Sequence, residues 1–439
     1  MFHNAKKYDN HLICAGLEDV SGVPISVIGQ TLENYIAMKI GDLVIKDSLL
    51  FMNSSLEKLV QNLAADGDHH FELLKQEYPQ NFGKLIRKGV FCYDFLTDET
   101  KLDHPSLPPI EAFFNKLTDE ALPEEEYKHA QNVWDTFKFK TFREYMELYV
   151  KTDVLLLACV FENFRSVCHT HYGLDPANFY GVPGFSWSAM QKFTGVKLEL
   201  LQDVNMFLFV ESSMRGGLST ITKKYAKANN PLLEDYDPKL PESYIMFFDE
   251  NNLYGGSVVS PVPVSNFRWM EECDLKNFDV MGVPDDGDTG YILEVTLEYP
   301  KSLHDLHNDL PLAIQQMVVR DDQLSDYSKF IKEKLDIKSE KTKKLVPNLY
   351  NKERYTLHYR NLKFYIRQGL NLVTIHRGIQ FRQSNWLKTY IEFNTSLRAQ
   401  AKNDFEKNLF KLMSNSVYGK SMENVRKYRS IRLINDTRA

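Results

Sequence analysis

Apolar positions along the chain fall into two rhythms. In residues 54–65, Leu56, Leu59, Val60 and Leu63 repeat at helical spacing behind a pair of serines, Ser54 and Ser55, that can cap the first turn. Residues 142–165 have the length and spacing of a longer helix, residues 321–345 read as a charged, exposed helix, and residues 386–424 read as mostly helix. Residues 41–52 and 370–381 carry strand-like runs, and residues 244–248, Tyr-Ile-Met-Phe-Phe, form the pattern of a buried strand that ends in Asp249. Between these lie a proline-rich loop at 102–126, with prolines at 105, 108, 109 and 123, and a Gly-, Pro- and aromatic-rich connection at 178–187. Strands and helices mix without a strict β-α-β rhythm, which predicts α+β modules.

Length adds that about three domains are present, since 439 residues far exceed one ordinary domain. The longest apolar run is eight residues, Val154 to Phe161, where a membrane span needs about 20; no membrane partner is expected. No apolar stretch follows Met1, so a secretory signal is not expected either. The five cysteines are odd in number and include no Cys-x-x-Cys pair, which predicts a reducing, intracellular compartment, no disulfide framework and no zinc site. Cys168-His169-Thr170-His171 lacks a second ligand cluster. A net charge of −6 argues mildly against a nucleic-acid partner. Its distribution argues the other way. Residues 331–360 hold nine Lys/Arg against four Asp/Glu, and residues 398–439 hold ten against four. Basic strips on an otherwise acidic chain suit an enzyme gripping a polyanion, and equally suit ordinary solvated helices.

Two segments carry chemistry. In Lys411-Leu-Met-Ser-Asn415-Ser-Val-Tyr418-Gly419, helical spacing puts Lys411, Asn415 and Tyr418 on one face. A cation, an amide and an aromatic hydroxyl together can meet the phosphate, sugar and base of a nucleotide. The same spacing also describes an ordinary amphipathic helix with a glycine stop. In Phe248-Asp249-Glu-Asn-Asn-Leu253-Tyr254-Gly255, a strand would end in a carboxylate, a position that suits Mg²⁺, which takes one or two carboxylates plus phosphate oxygens. A strand cap followed by an Asn-rich turn has the same sequence.

Together these segments resemble the family B DNA polymerases, most closely the protein-primed branch found in Maverick/Polinton-type transposons, related viruses and linear plasmids. The first polymerase motif of that family, D-x-x-(S/N)-L-Y-(P/G), is matched by residues 249–255, and the second, K-x-x-x-N-S-x-Y-G, by residues 411–419. The specified residues of the second motif would recur by chance with odds on the order of 10⁻⁴. Exonuclease motifs are also matched: N-x-x-x-(F/Y)-D by Asn4, Tyr8 and Asp9, and Y-x-x-x-D by Tyr149 and Asp153. Two smaller motifs associated with a single-stranded primer end are matched by Ser55-Leu56 with Leu59 and by Lys88-Gly-Val-Phe91. The family's Y-x-G-G turn, which touches template, reads Met214-Arg215-Gly216-Gly217 here. Its tyrosine is replaced, but the glycines still let backbone approach a phosphate and Arg215 still supplies charge.

The resemblance implies an RNase H-like 3′–5′ exonuclease domain, N-terminally truncated, over residues 1–170, and a connecting region over 171–235. A partial palm over 236–284, an insertion of protein-primed type over 285–385 and fingers over 386–439 would follow. It implies Asp249, Asp9 and Asp153 as Mg²⁺ ligands and Tyr149 as the group orienting the attacking water. Tyr254, beside Leu253, would pack under the deoxyribose, Lys411 would bind the triphosphate, and Asn415 and Tyr418 would line the nucleotide pocket. Asn4, Tyr8, Ser55, Leu56, Lys88, Arg215, Gly216 and Gly217 would face DNA. The implied partners are template and primer DNA, dNTPs and a priming terminal protein. Two motifs are missing: the D-x-E exonuclease motif, which belongs upstream of Asn4, and the D-T-D-like third polymerase motif, for which Asn435-Asp436-Thr437 is too close and has one carboxylate. Two Mg²⁺ about 3.5–4 Å apart need carboxylates from both polymerase motifs, so the chain is expected to be catalytically incomplete, either a piece of a polymerase or a non-enzymatic DNA-binding remnant of one.

Overall fold

The computed structural model describes residues 1–6, 8–17, 23–31, 33–338, 342–427 and 431; of Lys427 only the backbone is described, and Asn435, Asp436 and Thr437 lie outside the described residues. Mixed helix and sheet bear out the α+β class. The chain forms two compact units, residues 1–195 with 389–439, and residues 196–388. Among the described residues no helix is long and apolar enough to cross a membrane.

The first unit contains an antiparallel meander of Ile25–Gly29, Tyr35–Ile40 and Leu43–Lys46. The strand expected over 41–52 stops at Lys46, because Asp47 turns the chain. Its carboxylate accepts from Leu49 N at 3.0 Å, opening a 3₁₀ turn at Ser48–Leu50, and accepts from Asn4 N at 2.8 Å and Lys6 N at 3.2 Å. The helix expected at 54–65 forms as Leu56–Asp66, with Ser55 Oγ accepting from Lys58 N. The helix expected at 142–165 runs on to Tyr172. Thr141 and Glu144 form a capping box at its start, and Gly173 ends it at φ 62°. Its buried stripe of Phe142, Tyr145, Leu148, Thr152, Leu156, Cys159 and Phe164 is the spine of the unit. Phe51 packs on Phe161 and Phe164, and Phe164 meets Phe405.

The helical region expected over 386–424 is two helices, Lys388–Gln400 and Asp404–Ser421. Asn403 breaks it by capping the second: its Oδ1 accepts from Glu406 N at 2.9 Å, and the Glu406 carboxylate accepts from Lys402 N at 3.1 Å. From Thr389 onward both helices belong to the first unit. Tyr172 Oη donates to Asn394 Oδ1 at 2.7 Å in the core, and Ser186 Oγ donates to Met413 O at 2.5 Å.

The second unit is built on a four-stranded antiparallel sheet in the order Val262–Trp269, Asn371–Ser384, Thr289–Glu298, Lys352–His358. The strand expected over 370–381 is thus present. The segment boundary drawn at 284/285 runs between strands of this one sheet. Leu293, Val295, Leu297, Tyr355, Leu357 and Tyr359 fill one face, and Met206 and Phe209 of the helix Val204–Ser213 pack on Ile292, Ile379 and Phe381. The helix expected over 321–345 is short, Asp326–Lys334, and residues 344–346 pair as a strand with Gln315–Met317.

Residues 244–248 overturn the expectation of a buried strand. They form no regular element, and Phe247 and Phe248 are 92% and 80% exposed. Strand-forming residues make a strand only where a neighbour takes their N–H and C=O groups, and no described strand lies against this segment.

Candidate nucleic-acid and nucleotide sites

In the first unit, the segment carrying Asn4 is fastened to the 47–54 turn. Asn4 itself takes φ 69°, a left-handed conformation asparagine tolerates, with its N–H on Asp47. His3 lies between Ser48 Oγ at 2.9 Å and Ser54 O at 2.9 Å, and burial holds its imidazole below the ordinary range. Tyr8 is exposed, and Asp9 begins the helix Asp9–Gly16.

One side of the long helix gathers the second exonuclease-like cluster. Tyr149 and Asp153 are one turn apart. Tyr149 Oη meets Tyr93 Oη at 2.7 Å, and its ring stacks on Phe91 at 5.1 Å between centroids. Gly89 makes room for that ring, since a Cβ there would lie 3.2 Å from Tyr149 Cδ2. Burial pushes the Asp153 carboxyl above the ordinary carboxylate range, against the pull of the Lys88 charge and the Tyr149 hydroxyl. Burial first, and then the Asp153 charge, push the Tyr149 phenol up. The Lys88-Gly-Val-Phe91 segment therefore meets Tyr149 and Asp153 in space, through three of its four residues. Asp153 Oδ1 is enclosed and has no hydrogen-bond partner among the described residues, a donor that fits a hard cation. Asp9 joins no group of three metal-ligating side chains among the described residues.

The helix Asp404–Ser421 buries Leu409, Phe410, Met413 and Val417 and turns Lys411 outward, with Asn415 half-buried. Lys411 and Asn415 line a cleft of about 380 Å³ together with Asn408, and the facing wall supplies Asn53, Ser54, Lys58 and Asn62. Two lysines and four amides over a floor of Phe51, Leu59 and Phe405 can hold an anionic, partly flat molecule. Tyr418, half-buried one turn on, does not line this cleft. Ser55 and Leu56 serve as helix cap and first helical residue.

Sequence reading missed His3, Ser48 and Tyr93. A second Ser-Leu pair, Ser48-Leu49, precedes Ser55-Leu56, and it is Ser48 that reaches the Asn4 segment, donating to Phe2 O at 2.7 Å. The repeat of the dipeptide was the available signal.

In the second unit, Asp249 is exposed in irregular chain, an open carboxylate of the type a hydrated Mg²⁺ takes. Asn252, at φ 59°, precedes the helix Leu253–Val258, on which Leu253 and Tyr254 are 59% and 44% exposed. Arg215 is engaged within its unit: Nη1 donates to Thr356 O at 2.7 Å and to Ser213 O at 3.1 Å, and the guanidinium lies 3.9 Å from the Tyr355 ring centre. Its expected free charge is thus partly committed to the sheet. Gly216 and Gly217 are exposed, and a Cβ on either would meet nothing within 4 Å, so packing within the chain does not require glycine there.

Against known structures, the chain is similar to phi29 DNA polymerase in complex with primer-template DNA and incoming nucleotide, at 16% identity and TM-score 0.49, over 95% of this chain and 58% of that one. It is similar to phi29 DNA polymerase with single-stranded DNA at 17% identity and TM-score 0.47, over 96% and 58%. The chain thus spans a little over half the length of these polymerases. No curated protein matches it in sequence. The family described as DNA polymerase type B, organellar and viral, matches residues 1–431, nearly the whole chain. On that match, the chain is a member of the organellar and viral type B DNA polymerases.

Proposed function

We propose that this chain carries nucleotide-binding and editing parts of a DNA-directed DNA polymerase of the protein-primed kind, acting in DNA replication in a reducing, intracellular compartment. The observation that supports this best is the pairing of Lys411 and Asn415 in one cleft, on a helix whose opposite face is locked into a core. Lys411 supplies the charge that draws in a triphosphate, and Asn415 the amide that selects its orientation. Tyr254 packs against the deoxyribose and denies volume to a 2′-hydroxyl. Tyr418, which lies outside that cleft, is assigned to the same nucleotide by the motif match alone. Mg²⁺, bound by Asp249, would neutralise charge on the phosphates.

In the editing part, Asp153 and Asp9 would hold a metal ion, which the enclosed, unpartnered oxygen of Asp153 favours. Tyr149, held by Phe91 and Tyr93, orients the attacking water. Asn4, Tyr8, Ser55, Leu56 and Lys88 face a single-stranded 3′ end. Arg215, Gly216 and Gly217 let backbone come close to template phosphate, which the open space around both glycines favours. Residues 285–385 contact the priming protein.

The test is primer extension with Mg²⁺ and four dNTPs by the protein expressed from its full gene. Lys411→Ala should raise the KM for dNTP at least about tenfold, the loss of one charge-assisted contact. An unchanged KM would overturn the nucleotide assignment.

A further inference from the structure

We propose that Asp66, His69 and His70 bind a divalent transition-metal ion, for which Zn²⁺ is the best fit. Each of the three offers a ligand atom, and these atoms lie within 4.8 Å of one another. His70 Nε2 is already 2.8 Å from Asp66 Oδ2, and the two imidazole rings sit 3.9 Å apart between centroids. Tetrahedral Zn²⁺ with bonds of about 2.0–2.1 Å wants its ligand atoms about 3.3 Å apart. Metal binding would therefore require the exposed His69 ring to rotate. Two imidazoles and one carboxylate favour Zn²⁺ over Mg²⁺, so this site is chemically separate from the Asp153 and Asp249 positions. Cysteine spacing gives no hint of it, because it uses no cysteine.

The backbone holds the three residues in place beforehand. Asp66 ends the helix Leu56–Asp66, anchored by buried Leu59, Val60 and Leu63, and Phe71, fully buried, anchors the 3₁₀ turn Asp68–Phe71 that carries both histidines. Gly67 between them takes φ 126°, and a Cβ there would lie 2.8 Å from His69 Nδ1. That backbone turn favours glycine whatever the position of the ring. The metal would therefore fasten the end of the helix to the next turn, across the one residue where the chain is freest to bend. Lys402 opposes it, since its charge reaches Asp66.

Isothermal titration of the purified chain with Zn²⁺, in the presence of a competing chelator of known affinity, tests the site. One Zn²⁺ should bind, and His69→Gln, His70→Gln and Asp66→Asn should each weaken it at least about tenfold, with far-ultraviolet circular dichroism unchanged. Lys402→Gln should tighten it about twofold, a gain that loss of folding cannot produce. Wild-type affinity in all three ligand variants would overturn the proposal, as would a wild-type Kd weaker than about 0.1 mM.

Discussion

The two polymerase motifs stand in opposite physical states. Lys411 and Asn415 ride a helix whose rear face, Met413 and Val417 included, is fully packed. Asp249 and Tyr254 follow a run of aromatic and aliphatic residues that lies open, with Phe247 92% exposed. A helix satisfies its own backbone and needs only one apolar stripe to be placed, whereas a strand depends on neighbours distant in sequence. The first motif's chemistry therefore rests on an arrangement its own residues cannot enforce, and the second motif's does not.

Substitutions can break this contrast. The largest effect is expected from Asp249→Ala in the full gene product, where losing the carboxylate proposed to hold Mg²⁺ should lower primer extension by about a thousandfold, near 4 kcal/mol of barrier. Retained extension would show that the exposed carboxylate is dispensable. Next comes stability: Met413→Ala should cost about 2–5 kcal/mol by urea denaturation, and Phe247→Ala about 0.5 kcal/mol or less. Equal losses would mean that residues 244–248 are packed in solution and that the contrast fails. Tyr254→Val should keep much of dNTP incorporation while its dNTP over rNTP preference drops at least about tenfold, roughly 1.4 kcal/mol; kcat/KM for dATP and ATP gives the ratio. If Tyr254 were only a packing residue, both activities would fall together.

The smallest effect concerns the buried carboxyl. On the proposed editing role, Asp153 must be ionised to take up a cation, and burial raises the pKa of the metal-free carboxyl, so exonuclease activity should fall on acidification as that carboxyl protonates. Lys88 favours the ionised form, so Lys88→Met should move that acid limb to still higher pH. Activity against pH on single-stranded DNA reads the shift, and an unmoved limb would separate Lys88 from Asp153.

Elements that depend on near neighbours were legible. The Leu56–Asp66, Phe142–Tyr172 and Asp404–Ser421 helices follow from spacing and caps, and the Asn371–Ser384 strand from its apolar run. The 41–52 strand was read too long because Asp47 carries three hydrogen bonds, two of them to residues more than forty positions away. The convergence of Lys88 and Phe91 on Tyr149 and Asp153 was legible only through motif resemblance. His3 and Ser48 became visible through contact alone, since nothing in the spacing of two residues 45 apart marks them as partners.

The long helix Phe142–Tyr172 has 31 residues and is about 46 Å long. Asp153 and Tyr172 sit about 28 Å apart along it. Such a rod acts as a lever arm: a tilt of about 2° at one end displaces the other by about 1 Å, more than the roughly 0.5 Å tolerance of a working catalytic constellation. Tyr172 is hydrogen-bonded to Asn394 in the core beside the motif helix. On the proposed editing role, the alignment of the Asp153 carboxylate would depend mechanically on a polar bond at the far end of the rod. If that role holds, a fault there, such as Tyr172→Phe, would surface as an error in proofreading rather than as a local defect.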